Sequence, residues 1–297
     1  MAIEVNGLVK TYGETRAVDG VDLHVAEGEV FALLGPNGAG KSTTVEILEG
    51  HRTLTAGTVR VLGMDPETGG RAYRERIGIV LQESAIEKEL SVREAIDIYG
   101  ALYPRRRHTG ELIEIVGLED KADSRIKTLS GGQKRRLELA LGIVGDPELI
   151  FLDEPTTGFD PSARRQAWTV IDNLRSLGKT ILLTTHYMDE AQALSDRVAV
   201  IRSGEIVAEG TPDTIGGRDD AATTIGFSLP SGTAPPGMGE VPQESGRFVL
   251  AVPEATKVLH RLTSWAIDQG IELGSLTVER PSLEDIYLEL AAEDTDG

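Results

Sequence analysis

Nine consecutive residues, Gly35, Pro36, Asn37, Gly38, Ala39, Gly40, Lys41, Ser42 and Thr43, fit the phosphate-loop pattern GxxxxGK(S/T). Glycines let such a loop turn its backbone N–H groups inward as an anion nest at the start of a helix. Lys41 then reaches the β- and γ-phosphates of a nucleotide, and the Ser42 hydroxyl becomes a ligand for Mg²⁺. Farther along, the apolar run Leu149 to Leu152 ends in the acidic pair Asp153 and Glu154. A buried strand delivers its last residues to the crevice at the carboxyl ends of a sheet, where a phosphate also lies. There Asp153 suits holding Mg²⁺ through water, and Glu154 suits polarising an attacking water. Each pattern has an ordinary alternative: a glycine-rich turn before a helix, or a strand ending in a polar turn marked by Pro155. Their presence together on one chain favours the chemistry.

The elements that must carry these residues can be read from periodicity. Ile3 to Val9 and Val18 to Val25 alternate like strands, and Glu29 to Leu34 is an apolar strand running straight into the glycine-rich loop. Helix formers follow from Ser42, so the order is strand, phosphate loop, helix. Thr58 to Leu62 and Ile77 to Gln82 read as further strands, and 90–144 is mostly helical in pattern, opened by Ser91 and Glu94 in capping-box spacing. Strands return at Leu149 to Leu152, Thr180 to Thr184 and Val198 to Arg202. Strands alternating with helices imply an α/β fold with a parallel sheet covered on both faces.

A boundary is expected near residue 215, giving a first domain over 1–215 and a second over 216–297. Gly216, Gly217 and the Pro- and Gly-rich stretch 230–242 break the periodic pattern there. Beyond them come a strand at Phe248 to Val252, a helix from Glu254 to Gln269, a strand at Ile271 to Val278 and a helix from Ser282 to Leu290. This segment carries five basic and fourteen acidic residues, half of the chain's net charge of −18. That charge, with no basic stripe against it, argues against a nucleic-acid partner, whose recognition draws on clustered Lys and Arg. The absence of cysteine removes disulfides and thiolate metal sites. Apolar runs are far shorter than the ~20 residues needed to span a bilayer, and the start, Met1 to Lys10, lacks the signal-peptide pattern.

The most specific pattern is Leu129, Ser130, Gly131, Gly132, Gln133, lying between the phosphate loop and the acidic pair. The three together resemble the ATP-binding cassette (ABC) ATPases. That resemblance implies a P-loop NTPase fold of ABC type, with a RecA-like parallel sheet core, an antiparallel β-subdomain and an α-helical subdomain over about 83–145. It also implies that Ser130, Gly131, Gly132 and Gln133 contact the γ-phosphate held by a second subunit, so one chain carries two half-sites. Four weaker matches come with it. Tyr12 takes the place of the aromatic that stacks on adenine, and Gln82 that of a glutamine sensing Mg²⁺ and the γ-phosphate. Phe159, Asp160 and Pro161 match a loop bridging the protomers, Phe159 replacing the usual leucine, with Asp160 in trans contact. His186 matches a switch histidine, catalytic beside Glu154.

The tail Pro281, Ser282, Leu283, Glu284, Asp285, Ile286, Tyr287, Leu288 and the stretch Gly204 to Pro212 are similar to daunorubicin and doxorubicin resistance ATP-binding subunits. The resemblance implies ATP and Mg²⁺, a homodimer, a separate ABC-2 type permease, and a peripheral place on the cytoplasmic side of the cell membrane. Export of a drug, lipid or other amphiphile is the expected work, with a small α+β accessory domain at the end. The alternatives are a nutrient-importer ATPase or an ABC ATPase that serves no transporter.

Overall fold

A computed structural model describes residues 1–80, 86–218, 221–230, 242–243 and 247–292. Two compact units divide the chain, Met1–Pro212 and Asp213–Gly297.

The first unit begins with β1 (Ile3–Tyr12) and β2 (Thr15–Val25), an antiparallel pair, followed by β3 (Val30–Leu34). The helix α1 (Lys41–Leu48) comes next, then β4 (Ala56–Val61), α2 (Gly70–Arg74) and β5 (Ile77–Val80). Three helices follow, α3 (Val92–Gly100), α4 (Thr109–Ile115) and α5 (Gly131–Gly142). The unit closes with β6 (Leu149–Asp153), α6 (Pro161–Ser176), β7 (Thr180–Thr185), α7 (Met188–Leu194), β8 (Arg197–Arg202) and β9 (Glu205–Gly210).

Two sheets result. One is antiparallel with strand order β2-β1-β4; the other has order β5-β6-β7-β3-β8-β9 and is parallel except for its edge pair β8–β9. Every residue of β3 and β7 is buried, as continuous apolar strands covered on both faces require. Phe31 and Leu33 of β3 point into a core shared with Leu48 of α1, Phe151 of β6, and Ile3, Val5 and Leu23 of the antiparallel sheet. Both sheets thus lean on one core, which fixes where β3, β6 and β7 end.

Helix α3 starts at Ser91 with the expected capping box: Ser91 Oγ accepts from Glu94 N, and Glu94 returns the bond to Ser91 N. Within this unit, differences from the sequence reading lie at the edges. Strand β1 continues past Val9 to Tyr12 by slipping register against β2 at several points, and β9 is a strand that periodicity alone did not reveal.

The second unit holds β10 (Thr223–Ser228), β11 (Pro242–Gln243), β12 (Arg247–Val252) and β13 (Gly274–Glu279) in the order β11-β12-β10-β13, with α8 (Ala255–Gln269) and α9 (Leu283–Ala292). Ile225 and Phe227 of β10 pack with Val258 and Leu262 of α8, and Phe227 stacks on Phe248 with centroids 5.1 Å apart. No helix among the described residues is long and apolar enough to cross a membrane.

Candidate active site

Three neighbouring strands, β6, β7 and β3, release the chain at the same edge of the parallel sheet. The phosphate loop leaves β3, Asp153 and Glu154 come off β6, and His186 follows β7. The loop's tight course depends on residues without a side chain. At Gly35 a Cβ would stand 2.3 Å from Ile201 O, and at Gly40, with φ of 105°, it would stand 2.4 Å from Ala17 O. Gly40 is also the residue from which α1 starts, so the free N–H groups of its first turn open toward the loop.

An open cleft is lined by Ala17, Pro36, Asn37, Gly38, Gly40, Lys41, Ser42, Thr43, Glu154 and Thr157. Lys41 is buried, and its Nζ donates to Gly35 O at 2.6 Å and Pro36 O at 3.1 Å while standing 3.9 Å from Glu154 Oε1. Burial draws its ammonium below the usual pKa, and the charges of Glu154 and Asp153 pull the other way. Glu154 Oε1 also lies 3.3 Å from His186 Nδ1, which makes no hydrogen bond there, and Glu154 Oε2 accepts from Thr157 Oγ1 at 3.0 Å. Asp153 Oδ1 accepts from Thr184 Oγ1 at 2.6 Å across the β6–β7 pair. A carboxylate facing a lysine, a histidine and an anion nest can take a proton from water attacking a phosphoryl group.

Ser130 to Gln133 form the N-terminal end of α5, and none of them lines this cleft. Ser130 Oγ accepts from Gln133 N at 3.3 Å, and Gln133 Oε1 accepts from Ser130 N at 2.9 Å, a reciprocal capping box. Gln133 therefore shapes the turn. Ser130 and Gly131 stay exposed at the positive end of a twelve-residue helix. Tyr12 is exposed and does not line the cleft; its ring is faced by Lys10 Nζ at 5.1 Å and by the Arg52 guanidinium at 5.7 Å. Asp160 caps α6, its Oδ1 accepting from Ser162 N and Ala163 N. Gln82 lies outside the described residues.

Sequence reasoning missed several groups around the site. Arg135, buried in α5, reaches the backbone beside Glu154. It lies four positions before the buried Leu139, and a charge on an apolar helix face was the signal available. Glu190 is wholly buried and accepts from Thr156 Oγ1 at 2.7 Å and Trp168 Nε1 at 3.2 Å, bracing the loop after Pro155. Glu49 ends α1, almost wholly buried, with Oε2 3.2 Å from His51 Nδ1. Burial, with Asp153 and Glu46 adding repulsion, pushes its carboxyl up to about 8. The folded chain therefore holds that proton more tightly than the unfolded one. The resulting stability is full below the ordinary carboxylate range and is lost as pH rises through about 8. Glu49 should make thermal melts fall to lower temperature as pH rises from about 5 to 9, and Glu49→Gln should flatten that slope. An equal slope in Glu49→Gln would contradict the assignment.

The family model described as ABC transporter matches residues 18–157, and one described as the C-terminal domain of ABC transporter domain-containing protein-like chains matches 223–282. The chain is 36% identical over 305 residues to the daunorubicin resistance ATP-binding protein DrrA3 of Streptomyces coeruleorubidus, covering 99% of this chain and 96% of that protein. The chain belongs to the ATP-binding subunits of ABC transporters. This ABC subunit is also 45% identical over 219 residues to the Nod factor export ATP-binding protein I of Paraburkholderia xenovorans, covering 72% of each. Its fold matches a dimeric ATP-binding cassette in a post-hydrolysis state bound to ADP and Pi, with a TM-score of 0.62 and 25% identity over 70% of this chain and 98% of that one. The α/β architecture expected from the sequence, a P-loop ABC ATPase core with a C-terminal domain, is the one found. The chain is an ATPase, the hydrolysing subunit of an ABC transporter. Subunits of this family bind ATP and ADP, dimerise, and work with a membrane permease.

Proposed function

We propose that this subunit powers export of an amphiphilic molecule, a drug or a lipid-like compound, through an ABC-2 type permease, from the cytoplasmic face of the membrane. The observation that supports this most is similarity along the whole chain, C-terminal unit included, to a subunit named for daunorubicin resistance. A second relative is named for export of Nod factor. No observation favours the importer reading.

In the proposed cycle ATP sits on the phosphate loop, its phosphates held by loop N–H groups and Lys41. Glu154 takes the proton from the attacking water as oxygen bonds to the γ-phosphorus. The bond from that phosphorus to the bridging oxygen breaks, and ADP leaves with the electron pair. His186, whose Nδ1 lies 3.3 Å from the same Glu154 oxygen that faces Lys41, holds the transferred group in line. Ser42 and Asp153 are hard oxygen donors in a place where few protein ligands are needed, which fits Mg²⁺, an ion that keeps most of its shell for phosphate and water. When bound, Mg²⁺ neutralises the charge developing on the phosphate oxygens. The exposed N-terminus of α5, with Ser130, Gly131 and Gly132, closes on the γ-phosphate held by a second copy of this chain. Two ATP molecules then hold two copies together, and hydrolysis releases them.

Affinity purification of the tagged chain from its native membranes should bring down a protein with about six apolar spans of ~20 residues. Recovery of ribosomes or DNA without such a protein would overturn the transport reading.

A further inference from the structure

Glu154 departs from ordinary backbone geometry. Its φ is 45°, in the left-handed region that a side chain as large as glutamate seldom adopts. Such a conformation persists where surrounding bonds over-determine it. On one side Glu154 N donates to Thr184 O at 3.2 Å and to Thr184 Oγ1 at 3.1 Å. On the other, a single guanidinium spans the residue: Arg135 Nη2 donates to Asp153 O at 3.3 Å and Nε to Pro155 O at 3.2 Å. The carbonyls on both sides of Glu154 are thus fixed by one planar group, which lysine's single ammonium cannot imitate. Arg135 is only 6% exposed, and Nη1 donates to Glu138 Oε2 at 2.9 Å, so its buried charge is paired.

Arg135 also sits two residues beyond the capping box that shapes Ser130 to Gln133. Along one rigid helix, the turn proposed to seat the phosphate of the second subunit is therefore tied to the backbone of the base in the chain's own site. We propose that Arg135 is a positioning residue: it aligns Glu154 when α5 is seated across the dimer, so that base alignment in one half-site follows ATP capture by the other. This rests on the reading of Glu154 as base and Ser130 to Gln133 as the contact across the dimer. The strut transmits a shift of α5 as a rotation of the Asp153–Pro155 backbone, and a misplacement of about 1 Å at a base costs on the order of 10²-fold in rate.

The test is steady-state ATP hydrolysis by the full chain, with equilibrium binding of a fluorescent ATP analogue. Arg135→Met should lower kcat by about 10²-fold while KM and analogue affinity stay within about twofold, because Arg135 does not line the phosphate-loop cleft. Arg135→Lys should fall between it and the unsubstituted chain. In a Glu154→Gln background, Arg135→Met should lower the residual rate no further, since the group it aligns is gone. Unchanged kcat in Arg135→Met, loss of affinity in step with kcat, or a multiplied defect in the double variant would each overturn the strut. Where Arg135→Met fails to fold, Arg135→Lys decides, and full kcat in that variant overturns the proposal. Glu154→Gln at full rate removes the base reading and the strut with it, whereas an inactive Glu154→Gln beside a fully active Arg135→Met removes the strut alone.

Discussion

Replacing Glu154 with glutamine is expected to cut kcat for ATP hydrolysis by about 10²- to 10⁴-fold, the range lost with a general base. ATP binding should persist, because the phosphate loop and Lys41 are untouched. The amide keeps the shape of the carboxylate and can still meet Thr157, but it cannot take a proton. It also removes the negative charge that faces Lys41 at 3.9 Å and His186 at 3.3 Å. With hydrolysis blocked and ATP bound, the closed dimer should accumulate. Rates by phosphate release and affinity by analogue binding decide the matter together. Full turnover in the purified variant would contradict the role given to Glu154, and lost affinity would mean that the glutamate mainly holds the loop.

Placing arginine at Ser130 should lower hydrolysis by about 10²-fold or more, the scale of losing donors aimed at developing charge. The monomer's affinity for nucleotide should stay as it was, because none of residues 130 to 133 lines the phosphate-loop cleft of its own chain. Part of any effect will come from the lost cap, since Ser130 Oγ accepts from Gln133 N. Ser130→Ala separates the two: losing a cap costs about 1 kcal/mol of stability, without the bulk that blocks closure. A monomer of Ser130→Arg that no longer binds nucleotide would show that Ser130 serves its own site.

What the sequence made legible follows from locality. The phosphate loop, the apolar strands read as ending at Leu34 and Leu152, and the capping box at Ser91 are each written within a few adjacent residues, and each stands in the fold, β6 running one residue farther to Asp153. The missed features depend on distant partners. Strand β10 lies inside the second sheet, yet Thr223 to Ser228 reads as a polar, glycine-containing stretch. Its Gly226 is there because a Cβ would stand 2.6 Å from Thr277 Oγ1 on β13. The Arg135 strut joins α5 to residues about twenty positions away, and Thr184 meets Asp153 and Glu154 from a strand thirty positions on. No periodicity in a window of one helix or strand reports such pairs. Asp160 shows the converse: its local sequence before Pro161 is an ordinary helix start, and capping α6 is where its carboxylate goes.

The central claim is that each ATP site is completed by a second copy of the chain. Sedimentation velocity of Glu154→Gln and of the double variant Glu154→Gln with Ser130→Arg, both saturated with ATP and Mg²⁺, tests it most directly. The single variant should sediment as a dimer and the double variant as a nucleotide-bound monomer. Equal dimerisation of the two, or a single variant that stays monomeric with ATP bound, would contradict it.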